Sequence, residues 1–222
     1  MGSKLYAPYL LYKKENMNMK EKFIEIFKKY ITRPGAEDLL AYLEKSDFFT
    51  APASNRFHLC IPGGLVTHSV HVYERLRELY LMQKEHFEDD NRELTEQVEE
   101  TIAICGLLHD LCKVGFYTPV NKSRKTGEFY PNGKPIWEDY MGYDIDDKLP
   151  YGHGEKSVYI ISGFMKLSRE EAMAIRWHMG FSDNDFKAGG YGVGNAFEKF
   201  PMAVLTHMAD LMATYFDEKE EK

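Results

Sequence analysis

Histidine and aspartate stand in this chain where apolar residues would be ordinary. His68 falls in Gly63-Gly64-Leu65-Val66-Thr67-His68-Ser69, and His109-Asp110 follows Leu107-Leu108; both stretches otherwise read as buried helix. Burying an imidazole beside a carboxylate among leucines costs free energy unless each has a partner. A divalent cation is a natural partner, because it binds neutral imidazole and carboxylate together. On a helix, His109 and Asp110 would point about 100° apart. They can share one ion that lies off the helix side, with other helices closing the shell. Further candidates lie downstream. His153 stands at a predicted helix start, His178 at a predicted helix end and Asp210 inside the last predicted helix. Each also has a plain alternative: a cap or loop histidine, a histidine favoured by a helix C-terminus, and a surface aspartate. His58 precedes the first metal helix and faces either way. His71, His86 and His207 read as structural or exposed.

Helices must position these groups. Phe23, Ile24, Phe27 and Ile31 recur at helical spacing and predict a helix over 18–31. Pro34 breaks it, and a short helix over 35–46 carries Leu39, Leu40 and Leu43. Pro52, Pro62, Gly63 and Gly64 make 49–64 a loop. Helices follow at about 65–86 and 94–112. Prolines, glycines and aromatics then crowd 115–152, and Asn132-Gly133 signals a hairpin turn. The expectation there is an irregular insertion with a short β-hairpin. Helices resume at 153–166 and at 168–179, the second opening with the capping box Ser168-x-x-Glu171. Gly189 to Gly194 read as a flexible loop, and a last helix spans 201–216. Residues 1–16 read as a loose arm, and 217–222 as a charged tail.

The balance of the chain narrows its function. Its 222 residues suit one domain with a small appendage, and 44% hydrophobic residues suffice for a core. A net charge of −7 argues against a general nucleic-acid coat, so a polyanionic substrate needs local cations or metal ions. Cys60, Cys105 and Cys112 are too few and too irregular for a disulfide framework, and Cys105 and Cys112 read as buried small residues. No apolar run reaches the ~18 residues of a membrane span, and the first residues lack a signal-peptide core. The expectation is a cytoplasmic protein with no membrane partner; the sequence sets no oligomeric state.

The order His68, His109-Asp110, His153, His178, Asp210, with the text GGLVTHS, LLHDLCK, GHGEKS, IRWHMG and HMAD, resembles the HD superfamily of metal-dependent phosphohydrolases, in particular its small bacterial and phage hydrolases. The match anchors about 55–215. The resemblance implies an all-α helical bundle over 51–216, with 1–50 packed on it as an arm and helices in a single compact domain. It implies a first metal held by His68, His109, Asp110 and Asp210. In two-metal members Asp110 bridges and two further histidines hold the second ion; His153 and His178 match those positions. One or two divalent ions are expected, with Mn²⁺, Fe²⁺, Zn²⁺ or Ni²⁺ suited to the donors and Mg²⁺ possible at a weaker site.

The expected reaction is hydrolysis of a phosphate ester or anhydride by metal-activated water, with Asp110 and Lys113 catalytic. Lys113 lies three residues after Asp110 and would share its helix face; the family pattern often has a lysine there to meet phosphate. Arg56, His58 and Arg176 are further substrate-binding candidates. From Lys113 to Lys134 the chain carries a local excess of four positive charges, through Lys113, Lys122, Arg124, Lys125 and Lys134 against Glu128. This stretch is expected to steer phosphate, while Phe116, Tyr117, Tyr130 or Trp137 could stack a base. A nucleotide is the first substrate expected, ahead of single-stranded nucleic acid or a cyclic nucleotide. A non-catalytic sensor that binds metal and nucleotide is a competing reading, and a structural helical protein with a fortuitous metal is another.

Overall fold

The computed structural model describes residues 19–83, 94–182 and 191–219. Among the described residues, eight α-helices and one β-ribbon follow in chain order. They are α1 (Met19–Tyr30), α2 (Ala36–Lys45), α3 (Gly64–Gln83), α4 (Glu96–Leu108), β1 (Tyr117–Phe129), β2 (Pro135–Ile145), α5 (His153–Ser162), α6 (Arg169–Arg176), α7 (Gly192–Lys199) and α8 (Pro201–Met212). A π-helical turn, Ala213–Asp217, extends α8. The predicted loose arm at 1–16, the end of the third predicted helix and His86 lie outside the described residues. Among the described residues, no helix is long and apolar enough to cross a membrane.

α4 is the centre. Ile102 to Leu108 are buried without interruption, so this helix has no polar face there, as a helix packed on all sides requires. α3, α1, α6 and α8 surround it. Gly106 permits the close approach of α3: a Cβ there would sit 2.5 Å from the Tyr73 Cα. α1 closes one end through Phe23 and Phe27, one helical turn apart, with ring centroids 6.0 Å from each other. Phe23 also meets Phe48 and Phe49 of the following loop, at 5.0 and 5.5 Å.

One buried ion network ties three separate parts of the chain together. The Arg33 guanidinium donates to both carboxylate oxygens of Glu171, each at 2.8 Å, and to Glu100 at 2.9 Å. Glu171 also accepts from Thr101 and closes the Ser168 capping box. The expected capping box therefore carries a second load, since its glutamate anchors α6 to the α1–α2 turn.

The insertion is more regular than expected. β1 and β2 form one long antiparallel ribbon, pairing Tyr117 with Ile145 through Lys125 with Trp137, with a bulge before the tip. The tip turns at Asn132-Gly133, where Gly133 has φ +79° and Asn132 caps the Lys134 amide. Both faces are largely exposed, so there is no clean in-and-out alternation for sequence periodicity to detect. The helix ends also differ. α4 stops at Leu108 and α6 at Arg176, placing His109, Asp110 and His178 just beyond helices rather than on them. Gly192 and Gly194, expected in a loop, lie in the first turn of α7.

Glu171 is 1% exposed, and removing it takes both of its bonds from the Arg33 guanidinium, leaving Glu100 as that guanidinium's carboxylate partner, and opens the α6 capping box. Glu171→Ala is expected to cost about 3–5 kcal/mol in urea unfolding. A loss under 1 kcal/mol would show that the network is not what holds α6 in place.

Candidate metal centre

The site forms where three helix ends meet the N-terminal part of α3. His68 projects from α3 into the core. His109 and Asp110 follow the C-terminus of α4, His178 follows the C-terminus of α6, His153 opens α5, and Asp210 comes from α8. Gly154 allows the α5 start to touch the α6 end, because a Cβ there would collide with the Arg176 carbonyl. That contact brings His153 and His178 to ring centroids 5.3 Å apart.

Two of the histidines are oriented by the same device. A helix leaves its last carbonyls without intrahelical partners. His109 Nδ1 donates to the Gly106 carbonyl at 2.9 Å, and His178 Nδ1 donates to the Ile175 carbonyl at 2.7 Å. Each ring reaches back three residues. A carbonyl can only accept, so each Nδ1 carries the proton and each Nε2 presents a lone pair. His68 is fixed by a different partner. Its Nδ1 lies 3.0–3.1 Å from both oxygens of Glu218, so its Nε2 also faces the cluster.

These lone pairs converge. His68 Nε2 and His109 Nε2 are 3.2 Å apart. His178 Nε2 is buried with no hydrogen-bond partner and lies 3.5 Å from Asp110 Oδ1. Asp210 Oδ1 stands 3.2 Å from His68 Nε2, and His153 Nε2 stands 2.8 Å from Asp110 Oδ1. Donor atoms group within 4.8 Å of one another as His68, His109 and Asp110; as His109, His178 and Asp210; and as Asp110, Cys112 and His153. Two imidazole lone pairs at 3.2 Å repel unless a proton or a cation lies between them. The orphaned His178 Nε2 has no proton donor to accept from. Both observations fit a divalent ion, and nitrogen and carboxylate donors of this kind can hold one.

The electrostatics point the same way. Burial disfavours a charge on His68, but Glu218 and Asp210 outweigh it and push its pKa up to about 10. Burial keeps His109 and His153 below the usual histidine range. Burial would raise the Asp110 carboxyl, yet Lys113 and the His109 and His153 rings hold it well below the carboxylate range. The pocket is built to contain positive charge. Its open side is marked by His153 and Asp210, whose side chains are 32% and 17% exposed, against 3% or less for His68, His109, Asp110 and His178.

The remaining sequence candidates separate. Lys113 is buried on a 3₁₀ turn, Leu111–Lys113, and its ammonium is 2.5 Å from Asp110 Oδ2. The i, i+3 relation holds, though on a 3₁₀ turn, where such residues eclipse, rather than on a helix. His58 lies behind His68, its Nε2 3.8 Å from Glu218 and its ring 4.9 Å from that of His68. Burial, with the neighbouring His68, lowers its pKa to about 4. Arg176 is buried, paired with Glu155 and stacked on Trp177. Arg56 is exposed on the loop before α3. The basic stretch is neutralised by the strand facing it. Lys122 pairs with Asp144 at 2.8 Å and Arg124 with Glu138 at 2.6 Å, and 117–145 carries equal numbers of acidic and basic residues. Tyr117 and Phe116 pack at the ribbon base, while Tyr130 and Trp137 stand exposed towards its tip.

Three groups at the centre lay outside the sequence-derived set. Glu218 is 4% exposed and binds His68 and His71 from the stretch read as a charged tail. His71 belongs to the same array. Cys112, read only as a small buried residue, puts its sulfur 3.4 Å from His153 Nδ1. Only the i, i+3 spacing of His68 and His71 hinted at a shared partner.

No protein-family model matches the chain, and no similar curated protein or solved structure is found.

Ion binding to the folded state alone raises stability by about 2.7 kcal/mol at a hundred times Kd. Adding Mn²⁺, Zn²⁺ or Ni²⁺ to chelator-treated protein is therefore expected to raise its thermal midpoint, and the rise is expected to vanish in His109→Ala. An equal rise in the variant would place the ion elsewhere.

Proposed function

We propose that the chain is an HD-type metal-dependent phosphohydrolase that cleaves a phosphate ester or anhydride of a nucleotide. The convergence of the His68, His109 and His178 Nε2 atoms on Asp110 and Asp210, beside a buried lysine, carries this reading. The motif order His68, His109-Asp110, His153, His178, Asp210 supports it independently.

His68, His109, Asp110 and Asp210 would hold a first ion, and Asp110, His153 and His178 a second. Bound there, divalent ions supply Lewis-acid charge neutralisation and ionise water near neutral pH. The chain's own groups do the rest. The helix-end carbonyls and Glu218 keep Nε2 of His68, His109 and His178 aimed inward, so these donors need little reorganisation during reaction. Lys113 holds Asp110 in its ionised form and presents an ammonium at the pocket wall, where it meets a phosphoryl oxygen as charge develops. Arg56, exposed on the loop before α3, is the better placed of the two arginines to meet a distal phosphate, because Arg176 is committed to Glu155. The charge-balanced ribbon offers no track for a long polyanion, which favours a nucleotide over single-stranded nucleic acid.

The test is phosphate or nucleotide release across nucleotides, cyclic nucleotides and single-stranded RNA and DNA, with Mn²⁺, Fe²⁺, Zn²⁺, Ni²⁺ and Mg²⁺ each tried. Turnover is expected on a nucleotide, abolished in Asp110→Ala. In Lys113→Met, kcat is expected to fall roughly 10²–10³-fold, the effect of losing one charge-stabilising donor. No release from any substrate by protein shown to carry metal would favour a sensor that binds without turnover.

A further inference from the structure

We propose that the 213–219 segment is a latch that sets the metal affinity of the centre, with Glu218 as the positioning residue that holds His68 for the ion. This inference rests on the metal reading above and adds to it a mobile element and a direction of coupling.

One stretch of chain grips His68 from both sides. Asp210, on α8, stands 3.2 Å from Nε2, and Glu218, eight residues later, stands 3.0 Å from Nδ1. On a straight α-helix, residues eight apart are separated by about 12 Å along the axis. A single ring with a hydrogen bond at each nitrogen spans roughly 8 Å. The π-helical turn Ala213–Asp217 breaks the α register between the two carboxylates, and such turns occur preferentially at functional sites. The segment then docks on one face of α3. Glu218 accepts from His68 and His71, and Arg75 pairs with Asp217 through two nitrogens, at 2.5 and 2.8 Å. His68, His71 and Arg75 follow one another at the three- and four-residue spacing that shares a helix face.

The grip is polar rather than apolar. Of the π turn only Ala213 is buried, while Tyr215 and Phe216 are 62% and 73% exposed. A segment held by so little apolar area belongs to the low-stability end of a fold, where local opening is easy. One of its anchors is the His68 ring, which is also the expected ligand. An ion on Nε2 would take the place of the proton that charges this ring, and its greater charge would strengthen the Nδ1–H bond to Glu218 further. By linkage, docking of the segment must then raise metal affinity by the same factor by which metal favours docking.

The experiment uses the full chain as wild type, Glu218→Gln, Glu218→Ala and Arg75→Ala. Zn²⁺ and Mn²⁺ affinities are read by competition with a chromophoric chelator, and amide exchange of 213–219 is followed with and without metal. Glu218→Ala is expected to weaken binding 10–100-fold, the usual effect of losing an outer partner of a ligating histidine. Glu218→Gln, which keeps an acceptor without the charge, should fall between it and wild type. Metal should slow exchange in 213–219 of wild type and fail to do so in Glu218→Ala. Arg75→Ala touches no expected ligand, and it carries the test if Glu218→Ala does not fold: it should speed exchange of the segment and weaken metal binding several-fold. The latch is overturned by wild-type affinity in Glu218→Ala, by exchange in 213–219 that ignores metal, or by an Arg75→Ala segment that is released with affinity unchanged. Wild type that binds neither ion overturns the metal reading itself, and the latch with it.

Discussion

Three imidazoles and two carboxylates share a buried space in which every one of those Nε2 atoms is turned inward and every Nδ1 is already engaged, and that crowding requires positive charge. Proteins avoid burying polar groups without partners, because low dielectric makes an unpaired one costly. Here His178 Nε2 has no hydrogen-bond partner and His68 and His109 face each other across 3.2 Å. The surroundings leave no room for relief by rotation, since each Nδ1 is already held. Lys113 supplies one unit of positive charge to Asp110, and a proton on His68 supplies another. A divalent ion would satisfy all of these donors at once.

The fold serves that requirement chiefly through its helix ends. α4 and α6 both stop just short of a histidine of the cluster, and both turn a helix-end carbonyl towards its Nδ1. The buried C-terminal half of α4 fixes the depth of the centre. The close contacts at Gly106 and Gly154 set the spacing between α3 and α4 and between α5 and α6. The Arg33–Glu171–Glu100 network lies away from the centre but keeps α6, and so His178, aligned with α4. α8 contributes Asp210, and its π-helical extension contributes Glu218 to the outer side of His68.

Much of this was legible in local sequence. Apolar periodicity locates most of the helices, Asn132-Gly133 marks the ribbon turn, and the odd placement of His68 and His109-Asp110 among leucines marks the buried cluster. What escaped depends on contacts between distant parts of the chain. Glu218 sits in a run of exposed-looking charges, and only the π turn brings it to α3. Lys122 and Arg124 look like a basic patch until the ribbon register sets Asp144 and Glu138 beside them. The helix ends were misplaced by a few residues because His109 and His178 fit helical spacing while serving just outside it. Glycine at 192 and 194 argued locally against a helix that tertiary packing nevertheless forms.

The most direct test of the central claim is anomalous diffraction from crystals of the chelator-treated protein soaked in Zn²⁺ or Mn²⁺. The account predicts a strong anomalous peak within about 2.0–2.2 Å of His68 Nε2, His109 Nε2 and the carboxylates of Asp110 and Asp210, with any second peak beside His153 and His178. Density that stays empty there, with the ion bound at surface carboxylates or nowhere, would contradict it.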